Sequence, residues 1–155
     1  MKGFFDNNLF LESCSAKEIY DAVKSLPIID YHCHLDVGKI AMGAGFEDVG
    51  QLWLAEDHYK WRAMRLCGVD EKYITGDGNF HDKFIEYGKI LPKLVGNPLY
   101  YWTQLELKMI FGINEALNES NAERIYQEAN KRLADISVSD ILKQFNVEYI
   151  ASTDD

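Results

Sequence analysis

Two short apolar segments, far apart in the chain, constrain its fold more than anything else in the sequence. Residues 27–35 read Pro-Ile-Ile-Asp-Tyr-His-Cys-His-Leu, and residues 147–151 read Val-Glu-Tyr-Ile-Ala. Each carries apolar side chains at both odd and even positions, and strands of that kind belong to parallel sheets covered by helices. Nearly everything between them reads as helix. Two strands do not complete such a sheet, and parallel neighbours need long, usually helical, crossovers. The chain is therefore expected to be the first part of a larger α/β protein. It runs out at Ser152-Thr153-Asp154-Asp155, where a loop and a helix are expected to follow. The alternative is a complete, mostly helical domain with a small two-stranded element.

The helical signals come with punctuation. Ser15-x-x-Glu18 has the form of a capping box and leads Ile19, Ala22, Val23 and Leu26 along one face, closed by Pro27. Further helices are expected over 47–54 and 57–67, the second stopped by Gly68. Asn97-Pro98 opens a helix whose inner face is expected to be Trp102, Leu105, Met109 and Ile110, with Gly112 as its stop. Ser120-x-x-Glu123 has the form of a second capping box. It leads Ala122, Ile125, Tyr126, Ala129 and Leu133 along one face. A short helix over 139–145 precedes the second strand. Trp53, Trp61, Tyr100 and Trp102 are expected to serve packing rather than ligand stacking. His81 opens an ordinary helix and receives no role. There is no internal repeat, low-complexity tract or flexible linker.

Composition narrows the function. The 155 residues suffice for one domain with a real core, and 47% are hydrophobic. No apolar run approaches the length of a membrane span, and residues 1–8 lack the apolar core of a signal peptide. A formal net charge of −9 argues against nucleic acid and anionic membrane as partners. An anionic small molecule would need a local basic pocket. Three widely spaced cysteines, Cys14, Cys33 and Cys67, fit a reducing cytoplasm with free thiols.

Two constellations carry chemistry. In an unbroken strand His32 and His34 point the same way, with Asp30 on that face and Cys33 opposite. Two imidazoles at the end of a buried strand are a ready pair of metal ligands. The same pattern also fits a surface strand with solvated or hydrogen-bonded histidines. The second constellation is Asp57-His58-Tyr59-Lys60-Trp61-Arg62-Ala63-Met64-Arg65. On a helix His58, Arg62 and Arg65 share a face, with Tyr59 about 100° round the axis from His58. Arginine grips a carboxylate with two parallel hydrogen bonds, so this face suits an acidic ligand. An exposed basic face paired with neighbouring Asp and Glu is the plainer alternative.

These segments, with Leu52-Trp53-Leu54, residues 68–77, Gly96-Asn97-Pro98-Leu99-Tyr100, residues 102–107 and residues 152–155, resemble the uronate (glucuronate) isomerases of the amidohydrolase superfamily. The resemblance covers essentially the whole chain but not the whole enzyme, since a (β/α)8 barrel alone takes roughly 250 residues. It implies an incomplete TIM-type barrel, helix-rich in this part. Residues 1–155 would form one N-terminal portion, with 27–35 the first barrel strand, 36–137 a helical insertion and 147–152 the second barrel strand. It implies an aldose–ketose isomerase interconverting D-glucuronate with D-fructuronate, and D-galacturonate with D-tagaturonate, in hexuronate catabolism.

By motif match, His32 and His34 would be metal ligands for zinc or another divalent first-row ion, not necessarily essential. His58 and Tyr59 would act at the reacting end of the sugar. Arg62, Asp154 and Asp155 would contact substrate, and Asp30 would orient a ligand or cap the strand. Where this chain has Tyr101 and Gln104 the family often carries histidine, and a structural role is expected for both. Further ligands and arginines would come from later segments, so the 155 residues alone are expected to be inactive. Exposed strands or the helical insertion would favour self-association. Two other functions compete: a metal-dependent hydrolase of the same superfamily, and a non-catalytic helical module acting by association. A simple hydrolase has no reason to share the 58–65 segment.

Overall fold

In the computed structural model, the described residues are 8–33, 36–43 and 45–152, with only the backbone of Lys39. The element order is α1 (Cys14–Val23), β1 (Ile28–Cys33), α2 (Val37–Met42), α3 (Val49–Leu54), α4 (His58–Leu66), α5 (Phe80–Ile90), α6 (Pro98–Met109), α7 (Ala122–Leu133), α8 (Val138–Gln144) and β2 (Val147–Ser152). Short 3-10 turns follow α4 and α5. The chain is thus α/β and helix-rich. It divides into two compact units, residues 1–45 with 136–155, and residues 46–135.

The first unit holds the sheet. β1 and β2 pair in parallel, with Ile28 opposite Val147, Ile29 opposite Tyr149, Asp30 opposite Ile150 and Cys33 opposite Ser152. Between the first two pairs β2 has an extra residue, and between the last two β1 has one. The second bulge interrupts the alternation assumed for Asp30, His32 and Cys33. The turn into β2 is set by Asn146, whose positive φ of 53° closes α8. Its carbonyl accepts the Ile28 N–H at 2.9 Å, which starts the pairing. Ser137 and Asp140 form a reciprocal capping box on α8.

Three expectations fail in this unit. β1 is exposed rather than buried: Tyr31 is 85% accessible and Ile29 56%. Among the described residues the sheet has only these two strands, so their apolar faces lack the cover that sequence pattern anticipates. The α1 face is likewise exposed at Ile19, Val23 and Leu26. The α1 cap is Ser13, accepting from the Ala16 N–H at 3.0 Å, not Ser15.

The second unit has the core. Trp53 stacks on Phe84 with ring centroids 5.5 Å apart and meets Tyr87 and Phe111 edge-on. Around these lie Leu54, Met64, Ile74, Leu91, Leu107, Leu117, Ile125 and Leu133, all buried. The α7 stripe Ala122, Ile125, Tyr126, Ala129 and Leu133 is buried as its spacing predicts. Its cap differs: Asn121 occupies the position, and the Ser120 hydroxyl donates to Asn118. Asn97 caps α6, Pro98 takes its first turn, and Gly112 has φ 63°.

The buried face of α6 is Leu99, Thr103, Gln104 and Leu107, while Trp102 and Met109 are about half exposed. Two polar residues concealed that stripe in the sequence. Both are engaged. Thr103 shares a hydrogen bond with the Tyr87 hydroxyl at 2.8 Å, and Gln104 accepts the Leu117 N–H at 3.0 Å. Trp102 is therefore not core, whereas Trp53 is, and Trp61 and Tyr100 pack against it.

Gly50 has a packing reason. A Cβ there would stand 2.3 Å from the Phe80 carbonyl oxygen and 2.9 Å from its carbon, both backbone. Alanine ordinarily stabilises a helix interior by about 1 kcal/mol over glycine. Here Gly50→Ala is expected to destabilise by roughly 1–3 kcal/mol, because α5 must move aside. Chemical denaturation of the two chains measures the sign directly.

His81 joins two helices. Its Nε2 lies 2.7 Å from Glu123 of α7, its Nδ1 3.0 Å from Asp82, and its ring meets Tyr126 edge-on. The hydrogen bond to Glu123, then that to Asp82, raises the imidazole above its ordinary 6.5. Gln127 and then His81 hold Glu123 below its ordinary 4.5. A raised imidazole stabilises fully below pH 6.5 and loses its contribution as pH climbs through the raised value. A lowered carboxyl stabilises above 4.5 and loses its contribution on acidification. The Tm difference between the chain and His81→Gln is thus expected to be largest near pH 5.5 and to shrink by pH 9. A difference that is flat across that range contradicts the bridge.

Candidate functional site

The residues marked by sequence fall in both units. In the first, His32 is exposed on β1, and its backbone N–H donates to the Asp30 carboxylate at 3.2 Å. Asp30 thus ties down the backbone beside His32, close to its expected capping role. His34, Asp154 and Asp155 lie outside the described residues. Among the described residues no group of three or more His, Cys, Asp or Glu could hold a metal ion. The described residues do not by themselves make up a metal centre. None of the three cysteines forms a disulfide.

The second unit carries α4. Asp57 starts this helix because its carboxylate replaces the missing backbone partners of the first turn. Oδ1 accepts the N–H groups of Tyr59 at 2.9 Å and Lys60 at 3.0 Å. Oδ2 accepts the Lys60 ammonium at 2.7 Å, and Lys60 is only 7% exposed. Burial alone would raise the Asp57 carboxyl, but the Lys60 charge and the hydrogen bonds hold it below its ordinary value. Glu106 is half-buried, and its carboxyl is pushed up by burial against the nearby Lys60 charge. Ala63 and Met64 turn inward with Lys60, while Trp61 donates its indole N–H to the Leu54 carbonyl at 2.7 Å.

The opposite half of α4 looks outward. His58, Tyr59, Arg62, Arg65 and Leu66 are all exposed. The rings of His58 and Tyr59 lie together, centroids 4.3 Å apart and tilted by 33°. Arg62 lies one turn beyond His58. Arg65 does not join a cationic patch: its guanidinium pairs bidentately with Glu71, which also accepts the Thr75 hydroxyl. The hydrogen bonds from Arg65, then that from Thr75, bring the Glu71 carboxyl down to about 2. The plainer alternative, an exposed basic side chain paired with a neighbouring carboxylate, thus holds for Arg65, whereas Lys60 is paired with Asp57 but buried. It does not hold for Arg62, which has no ion pair among the described residues. The α4 face therefore presents one imidazole, one phenol and one guanidinium, a set suited to hydrogen-bonding a polar anionic ligand.

Comparison with known sequences decides the family. The glucuronate isomerase family matches residues 1–155, the whole chain. The chain belongs to the glucuronate isomerase family. Uronate isomerase of Brachyspira hyodysenteriae is 48% identical over 100% of this chain, which spans 33% of that protein. That of Caldicellulosiruptor saccharolyticus is 46% identical, again over 100% of the chain and 34% of the relative. The crystal structure of uronate isomerase from Thermotoga maritima superposes with a TM-score of 0.94 at 36% identity, covering 97% of this chain and 34% of that one. Glucuronate isomerase of Caulobacter crescentus gives 0.81 at 28% identity, covering 89% and 31%. The chain spans about a third of the length of the curated relatives it matches.

Within this family chain, Gln104 is a core residue and Tyr101 packs beside Tyr100, ring centroids 5.5 Å apart. What the sequence did not reveal is the pairing of Asp57 with a buried Lys60. An i, i+3 Asp–Lys pair looks the same in sequence whether it is solvated or enclosed.

Proposed function

We propose that the protein containing this chain is a uronate isomerase, interconverting the aldose and ketose forms of a hexuronate. D-glucuronate with D-fructuronate, and D-galacturonate with D-tagaturonate, are the expected pairs. The family match over all 155 residues carries the proposal. The exposed His58–Tyr59–Arg62 face supports it.

The reaction needs a proton removed from C2 and delivered to C1, while a hydrogen passes between the neighbouring oxygens through a cis-enediol. Catalysis then rests on positioned acid–base groups and on donors aimed at the developing oxyanion. His58 and Tyr59 are assigned to that end of the sugar. With ring centroids 4.3 Å apart, two adjacent substrate oxygens could be contacted by the pair at once. Arg62 is assigned to substrate binding, where its fork suits a carboxylate. Asp154 and Asp155 are proposed as further substrate contacts. His32 and His34 are proposed as ligands of a divalent ion, zinc or another first-row metal, on their spacing and the resemblance. The proton transfers are assigned to side chains.

The same reading makes residues 27–35 and 147–152 the first two strands of a TIM-type barrel, with 36–137 inserted between them. The parallel pairing of β1 with β2 supports it, and so do their uncovered apolar faces. A cytoplasmic location fits three cysteines without a disulfide. No helix among the described residues is long and apolar enough to cross a membrane. Self-association through the exposed strand faces or the helical insertion is part of the same proposal.

Substrate profiling of the whole protein tests this reading. Turnover is expected with hexuronates, and neither with the corresponding neutral hexoses nor with lactones or amides. Hydrolysis of a lactone or amide without uronate isomerisation contradicts the reading and favours a hydrolase.

A further inference from the structure

We infer that Asp57 and Lys60 act together as positioning residues for the His58–Tyr59 pair, a role that rests on the isomerase reading above. The two functional rings project from residues bracketed by this pair, on the first turn of α4. Asp57 divides its work between its oxygens. Oδ1 fixes the backbone of Tyr59 and Lys60, while Oδ2 holds the Lys60 ammonium at 2.7 Å.

Lys60 anchors the clamp from below. Its side chain is 9% exposed, against 30% for that of Asp57, so the charged bond is largely sheltered from water. A lysine chain has many rotamers, and an ordinary exposed pair leaves them populated. Buried with Ala63 and Met64 on the inner side of α4, and within electrostatic reach of Glu106 on α6, this one is held in place. The first turn is thus pinned on its inner side by charge and on its backbone by the cap. The outer side is left to present two rings in a fixed relation.

Positioned groups lose large factors in rate when displaced by about an ångström. The clamp is therefore expected to be read in kcat rather than in KM, and it touches no substrate itself. It adds to the acid–base assignment because a solvated cap would satisfy α4 equally well without a buried ammonium.

The test uses the whole protein and the double variant Asp57→Asn/Lys60→Met, with His58→Ala as reference. Asparagine keeps an oxygen for the two N–H groups, and methionine keeps most of the lysine stem without its charge, so the cap survives and no charge is left buried alone. The expected result is a folded protein with kcat lowered about 10-fold or more and KM within about 3-fold of the parent. Wild-type kcat in a folded double variant, or a rise in KM at constant kcat, overturns the clamp. A double variant that melts below the assay temperature also overturns it, because the pair is then structural. Undiminished turnover by His58→Ala removes the isomerase assignment on which the clamp rests. A dead His58→Ala beside a fully active double variant removes the clamp alone.

Discussion

Replacing His58 by alanine in the whole protein is expected to lower turnover of D-glucuronate by about 10²- to 10⁴-fold while leaving the fold intact. The magnitude is that of losing a positioned acid–base group. The intact fold follows from where the residue sits. His58 is exposed on the outer half of α4, and the helix start depends on Asp57, not on the imidazole. Surface changes away from caps and cores usually move stability by less than about 0.5 kcal/mol. Activity and stability therefore separate, and steady-state kinetics with a thermal melt measures both. Tyr59→Phe removes only the hydroxyl of a residue 59% exposed and is expected to follow the same pattern.

Phe84→Ala is expected to do the reverse. Phe84 is fully buried, stacked on Trp53 and set against Tyr126 at 5.3 Å between ring centroids. Truncating a buried phenylalanine costs about 3–5 kcal/mol, through lost transfer energy and the cavity left behind. The melting temperature should fall by roughly ten degrees. The cavity would open where three helices meet: α3 supplies Trp53, α5 Phe84 and α7 Tyr126. Denaturant titration of the parent and variant gives the difference. A loss below about 1 kcal/mol would mean that the residue 46–135 unit does not depend on this aromatic cluster.

These two residues also mark what a sequence can show. Helices with strong punctuation were legible: Asp57 and Gly68 bound α4, Asn97-Pro98 opens α6, and the α7 stripe is apolar at every inward position. Spacing put His58 and Arg62 on one face of α4, and the structure has both exposed there. Legibility failed where polar side chains face inward. Thr103 and Gln104 are buried because each has an internal partner, so the apolar pattern of α6 pointed to the wrong face. It failed again where capping residues compete, since Ser13 rather than Ser15 caps α1. The strands were legible as strands, and their parallel pairing follows the rule for apolar segments joined by helices. Their exposure was not, because burial depends on what covers a face, and local sequence does not specify that.

His81 and Lys60 are a further case. Sequence alone cannot tell the pair either one makes from a solvated one: Lys60 meets Asp57 three residues away, whereas His81 meets Glu123 forty-two residues away on another helix. Burial separates them: Lys60 is enclosed, whereas the His81 side chain is 38% exposed. The first is therefore a candidate for fixing geometry, and the second a modest, pH-dependent tie between α5 and α7.

The most direct test is the approach to equilibrium by the whole protein from both ends of the reaction. Followed by NMR, D-glucuronate alone and D-fructuronate alone should converge on one mixture of the two, with His58→Ala approaching it about 10²- to 10⁴-fold more slowly. Persistence of each compound unchanged in the presence of folded, metal-supplied protein would contradict the assignment.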